Sequence, residues 1–137
     1  MNVVIKGIRD ALVADATLTG LIATYASAPA VFSGDFVPED CEPAWAFIYV
    51  VSDQPTDSKN GEGRELNFDV SVWARKVDGP KHLNTIAERV RDLLHRTALT
   101  ISGYEHLLSV ASGPIQNEPD EALIGRTVSV RILIDKE

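Results

Sequence analysis

The chain has 137 residues and a mass of 14.9 kDa, a length at which one core burying roughly two-thirds of the unfolded surface is the default. Its 45% hydrophobic and 24% charged residues exclude disorder as the main state. A net charge of −7 argues against nonspecific binding to nucleic acid, which relies on lysines and arginines neutralising phosphates.

The longest apolar run, Ala44 to Val51, is far short of the roughly 20 residues a membrane-spanning helix needs. Lys6, Arg9 and Asp10 break up the first apolar positions, so no signal-peptide core is expected and a cytoplasmic location is. A single cysteine, Cys41, forbids an internal disulfide framework and suits a reducing compartment. The charge is uneven: residues 1 to 74 sum to −7, residues 75 to 96 to +3 and residues 97 to 137 to −3. A locally basic middle reads as a solvated helix face or as a docking surface for an acidic neighbour.

Asn2 can cap a helix to about Asp15, in which Val4, Ile5, Ile8, Ala11 and Leu12 form one apolar stripe. Asp15 or Thr17 then starts a short second turn carrying Leu18, Leu21 and Ile22, followed by an irregular stretch rich in Ala, Pro, Gly and acids. Pro43 precedes a strand from Ala44 to Ser52, whose aromatic and β-branched density predicts cover on both faces and a place inside the sheet. Residues 53 to 63, DQPTDSKNGEG, form a polar loop or hairpin tip around Asn60-Gly61. From Arg64 to Arg75, Leu66, Phe68, Val70, Val72 and Ala74 alternate with Glu65, Asn67, Asp69, Ser71 and Trp73, which predicts one buried and one wet face.

Gly79-Pro80 opens a helix to about Arg96 with Leu83, Ile86, Ala87, Val90, Leu93 and Leu94 on its apolar stripe. Two further strands are predicted, Glu105 to about Ala111 and Arg126 to Ile134. The order α-β-β-α-β-β gives an α+β class: one domain over residues 1 to 137, with an antiparallel or mixed sheet of about four strands and helices packed on one face.

Chemistry is sparse. His82, His95 and His106 lie apart from each other and from Cys41, without metal-site spacing. His95, near a helix C-terminus, suits the helix dipole. No nucleophile elbow, Walker loop or dinucleotide fingerprint occurs, and Gly61-Glu62-Gly63 precedes a strand rather than a helix. Asp35, Glu39, Asp40 and Glu42 lack the pattern of a calcium loop and read as a solvated acidic segment. No catalytic residue, cofactor or metal is therefore expected. Trp73 is the most informative side chain, because an aromatic on the wet face of a strand needs cover from a helix, a loop or a partner; with Arg75 beside it, it is a contact candidate.

Taken in order, LVADATLTGLI, AVFSGDFVPED, WAFIYVVS, FDVSVWAR, LNTIAERVRDLL, NEPDE and VSVRILI span nearly the whole chain. This succession resembles the small tail-completion, or tail-terminator, proteins of long-tailed bacteriophages and prophages. Leu123 and Ile124 stand where that pattern would place an aromatic before the last strand. The resemblance implies a structural virion-assembly protein that forms a hexameric ring on the finished tail tube, stops polymerisation and offers a surface for head-tail joining. Its partners would be further copies of itself, the tail tube protein and a head-completion protein, with no sequence-specific nucleic acid and no membrane. It would act in the host cytoplasm during assembly and then reside in the virion tail.

Within that reading, Asp57, Lys59, Asn60 and Glu62 of the hairpin loop, with Arg64, are candidates to touch a neighbouring subunit or the tube. Trp73 and the basic stretch around Arg75, Lys76, Arg89 and Arg91 are candidates to meet acidic residues of the adjacent protomer. Rival readings are another head-tail joining protein of the neck and, from a different class, a small enzyme or ligand-binding domain.

Overall fold

A computed structural model of the chain describes residues 2–34, 37–57, 61–119 and 121–137. The elements run α1 (Asn2–Val13), α2 (Ala16–Thr19), β1 (Thr24–Tyr25), β2 (Ala28–Pro29), β3 (Val31–Ser33), β4 (Trp45–Pro55), β5 (Gly63–Arg75), a 3-10 turn (Lys76–Asp78), α3 (Gly79–Leu94), β6 (Tyr104–Gln116) and β7 (Leu123–Lys136). The fold is α+β, as expected. Its sheet has five strands in the order β3-β4-β5-β7-β6, and β1 and β2 form a separate two-stranded ribbon.

The added strand is β3, which pairs parallel to β4 through Val31↔Ala46, Phe32↔Phe47 and Ser33↔Ile48, whereas β4-β5, β5-β7 and β7-β6 are antiparallel. Three residues are too few to display an alternation, which is why this stretch reads as irregular in sequence. The β1-β2 ribbon turns on Ala26 (φ 50) and Ser27 (φ 68), positions where the glycine or asparagine of a recognisable hairpin turn is missing.

The first helix stops at Val13, short of Asp15, and Asn2 is its first helical residue rather than its cap. Asp15 is extended and caps α2 instead, its carboxylate accepting from Leu18 N–H at 2.8 Å. The long helix begins where Gly79 takes φ 79 and Pro80 occupies the first turn. It ends at Leu94 rather than Arg96, because His95 leaves helical geometry and its ring Nδ1 accepts from Ala111 N–H of β6 at 3.1 Å. The ring thus ties the helix end to the sheet as a hydrogen-bond acceptor, in place of the dipole contact expected.

The core lies between one face of the sheet and the helices. α1 packs on β3 and β4, and α3 packs on β5, β7 and β6. From the sheet come Ala46, Ile48, Leu66, Phe68, Val70, Val72, Val128, Val130, Ile132 and Ile134; from the helices come Val4, Ile8, Leu12, Leu83, Ile86, Val90 and Leu94. Each large side chain here contributes roughly 1.5–3 kcal/mol through removal from water.

Among the described residues, the other sheet face carries no helix, which corrects the expectation that the Ala44 to Ser52 strand is covered on both sides. On β4, Ala46 and Ile48 are buried and Phe47 is half-buried, while Tyr49, Val50 and Val51 are exposed. Only the first half of β4 lies inside the sheet, because β3 ends opposite Ile48.

Candidate assembly interface

The β4-β5 ladder runs the length of the molecule and divides the expected contact residues between its two ends. Toward the hairpin tip, Pro55 pairs with Arg64 and Thr56 N–H bonds Gly63 C=O at 2.8 Å. Gly63 permits this closure, since a Cβ there would lie 2.6 Å from Thr56 Oγ1 and 2.8 Å from Asp135 Oδ1.

Arg64 grips Asp53 across the ladder in a two-pronged pair, with Nε at 3.0 Å from Oδ1. Hydrogen bonds to Asp53 first and Tyr104 second push the Arg64 pKa above its ordinary value. Asp53, Pro55, Asp57, Glu62, Gly63, Arg64 and Tyr104 line a shallow polar depression at the base of the tip. Glu62 is exposed and lies 3.6 Å from Lys136 Nζ. The structure therefore brings Asp57, Glu62 and Arg64 together; Lys59 and Asn60 lie outside the described residues.

At the opposite end, Trp45, Trp73 and Gly125 sit side by side on three adjacent strands. The Trp73 indole lies flat over Gly125, where an added Cβ would meet its Cε3 at 2.7 Å and Asn117 Nδ2 at 2.8 Å. Trp73 is half-buried, packed in part against its own Gly125. Beside it, Cys41, Pro43, Trp45, Arg75, Lys76, Val77, Ala122 and Leu123 line an open groove. Desolvation, with Asp40 and Glu42 nearby, raises the Cys41 thiol pKa, a setting that suppresses thiolate chemistry.

The basic residues do not form one patch. Arg75 bonds Glu42 at the groove. Arg89, on α3, binds Asp15 with Nε–Oδ2 at 2.9 Å and Nη2–Oδ1 at 2.6 Å, and Arg91 lies 3.5 Å from Asp92. The hydrogen bond from Arg89 holds the Asp15 carboxyl below its ordinary pKa of 3.8. This pair joins α3 to the cap of α2, with the Arg89 side chain still partly exposed.

The helix-free face carries a hydrogen-bonded net that the sequence pattern did not disclose. Asp69 accepts from Tyr49 Oη at 3.1 Å and from Ser129 Oγ at 2.8 Å. Ser71 and Thr127 hydroxyls meet at 3.2 Å, and Thr127 also donates to Asn117 at 2.5 Å. Asn67 donates to Ser52 at 2.9 Å, and Arg131 Nε to Glu65 at 2.6 Å. Polar groups so matched leave few orphaned donors or acceptors to attract a ligand. Among the described residues, no group of three His, Cys, Asp or Glu side chains is placed to hold a metal ion, and no helix is long and apolar enough to cross a membrane.

Sequence reading also missed the exposed apolar residues. Tyr49, Val50 and Val51 fall inside the long apolar run that predicts a buried strand, and Leu107 and Ile115 stand exposed on β6, part of it beyond the predicted end of that strand.

Comparison with known proteins now places this architecture. A chain in the solved structure "Virion of native gene transfer agent (GTA) particle" superposes with a TM-score of 0.71 at 20% sequence identity, covering 93% of this chain and 91% of that one; it shares the fold. No curated protein matches significantly. The sequence model of the tail completion protein gp17 family matches residues 6–135, nearly the whole length, and the chain belongs to that family.

Proposed function

We propose that this protein is a tail terminator: it caps the head-proximal end of a finished tail tube as a homo-oligomeric, hexameric ring, stops tube polymerisation and presents the surface for head joining. Membership of the tail completion family over residues 6–135 is the observation that carries this reading. The fold shared with a chain of a gene transfer agent virion is consistent with it.

A capping ring needs two different faces and a contact that closes by rotation. The single domain over residues 1 to 137 supplies dissimilar ends for this: a polar tip with Asp57, Glu62 and Arg64, and an open groove with Trp45, Arg75 and Val77. The tip is assigned to a neighbouring subunit or the tube. The partners are further copies of the chain, the tube protein and a head-completion protein; the site of action is the host cytoplasm and then the virion tail. No chemical step is required.

Tail length, measured by negative-stain electron microscopy after disruption of the gene in its parent phage, tests the proposal. Overlong, headless tails are the expected result. Normal-length tails lying beside full heads would instead assign a neck-joining role, and intact infectious particles would remove both.

A further inference from the structure

A sheet with unpaired edges offers a row of free backbone donors and acceptors, and soluble proteins ordinarily blunt such edges with charge, proline or cover. In this protein the two outer edges are treated unequally. β6 is blunted by register shifts at His106/Leu108 and Ser112/Ile115, by Pro114, and by the chain after α3, which bonds Ser109 C=O through Arg96 N–H at 2.8 Å and Ala111 N–H through His95. β4 has a register shift of its own, between Val50 and Ser52, but among the described residues no other segment pairs with its edge beyond Ile48, where the next residues are Tyr49, Val50 and Val51.

The exposed apolar side chains follow the same geography. Six large hydrophobic residues are exposed among the described residues, and five of them stand on these two strands: Tyr49, Val50 and Val51 on β4, Leu107 and Ile115 on β6. Val51, Leu107 and Ile115 are 57%, 51% and 62% exposed, values at which burial on a partner removes most of a side chain from water.

Charge separates the edges in the same sense. Beside β3, the exposed Glu39 and Asp40 form an acidic margin, with Asp40 held by Tyr25 Oη at 2.8 Å and the Tyr25 ring set edge-on against Phe32. Beside β6, Arg96 is exposed and takes part in no ion pair among the described residues, although the strand itself also carries the exposed Glu105 near its start.

We propose that these edges are the two halves of one heterologous contact: the β4 edge of one copy, with Val50 and Val51 and the acidic margin, docks on the β6 edge of the next, with Leu107, Ile115 and Arg96. The occupant is a second copy because a single chain carries both halves, apolar against apolar and acid against base, on opposite sides of one sheet. Self-pairing of the β4 edge would set Glu39 and Asp40 against their own counterparts. Repeated head to tail, such a contact closes a ring when the rotation between copies returns to the start. This inference rests on the ring reading above and specifies its seam.

The test joins Val51→Cys with Ile115→Cys or with Leu107→Cys in a Cys41→Ala background, oxidised mildly on purified tail tubes, with Val51→Glu assayed in parallel. A disulfide requires the two Cα atoms to lie within roughly 7 Å, so a link between residue 51 of one copy and residue 107 or 115 of another reports the seam directly. The expected result is a ladder of between-copy links ending at the ring, with Val51→Glu raising the concentration for assembly roughly tenfold or more at an unchanged melting temperature. Rings that form without these links, rings linked only from 51 to 51, or normal assembly by Val51→Glu would overturn the seam and leave the ring standing. A chain that forms no ring even on tubes would overturn both.

Discussion

The two faces of the five-stranded sheet are built from the same strands on opposite principles. On the helix side, Leu66, Phe68, Val70 and Val72 of β5 and Val128, Val130, Ile132 and Ile134 of β7 are buried to 1% or less. On the open side, Ser129 bonds Asp69, Tyr49 also bonds Asp69, Asn67 bonds Ser52, Ser71 meets Thr127 and Arg131 bonds Glu65. Stability is thereby concentrated on one face through area removed from water. The other face is kept wet by mutual pairing, which leaves the strand edges and ends available for contacts with other molecules.

The contrast breaks most sharply at Phe68, the largest fully buried side chain among the described residues. Phe68→Ala is expected to cost about 3–5 kcal/mol, combining lost transfer energy with a cavity, as a lower denaturant midpoint at unchanged m-value would record. Gly125→Ala drives a methyl into the Trp73 ring and should cost about 1–3 kcal/mol through forced displacement, visible as a lower melting temperature and altered tryptophan fluorescence. Asp15→Ala removes the α2 cap at about 1 kcal/mol together with the Arg89 pair. Asp15→Asn retains the capping oxygen, so the difference between the two melting temperatures separates cap from charge.

Acid acts on both sides of this comparison, with a sign fixed by two groups. Burial lowers the His106 pKa, and its Nε2 lies buried with no hydrogen-bond partner. The unfolded chain therefore binds a proton more readily, and stability should fall as pH drops through the ordinary histidine value of 6.5. Asp15 is lowered from 3.8, so its contribution is present above that value and disappears as pH falls through its lower folded pKa. Denaturation midpoints between pH 8 and 3 should show two steps: His106→Leu removes the upper one and Asp15→Asn the lower. The smallest effect on folding belongs to Val51→Ser, within roughly 0.5 kcal/mol because the side chain faces solvent; a larger loss of stability would mean that this edge serves the fold itself.

Elements with a long period were legible in the sequence. Thirteen residues of β5 alternate cleanly, and α3 repeats its apolar stripe over sixteen, so the α+β class and the family resemblance both emerged from order and spacing. β3 was not legible, because its partner is chosen by tertiary contact rather than by a pattern of its own. The apolar run from Ala44 to Val51 misled for a related reason: periodicity registers that residues are apolar, whereas cover depends on how far a neighbouring strand extends. Candidate contact residues were legible only as types. Arg89 and Arg75 share a charge, and the structure alone separates one that holds two helices together from one at the lip of a groove.

The length of β3 has a consequence for how the molecule behaves in company. Pairing ends at Ser33↔Ile48, and the chain departs through Gly34 at φ 103, leaving Tyr49 to Pro55, roughly 20 Å of strand at 3.3 Å per residue, without a strand partner on that side among the described residues. A few more residues of β3 would have covered this stretch of β4; a few fewer would have bared Ala46 and Ile48. A strand of three residues thus acts as a gauge of how much of the sheet's own edge the chain closes.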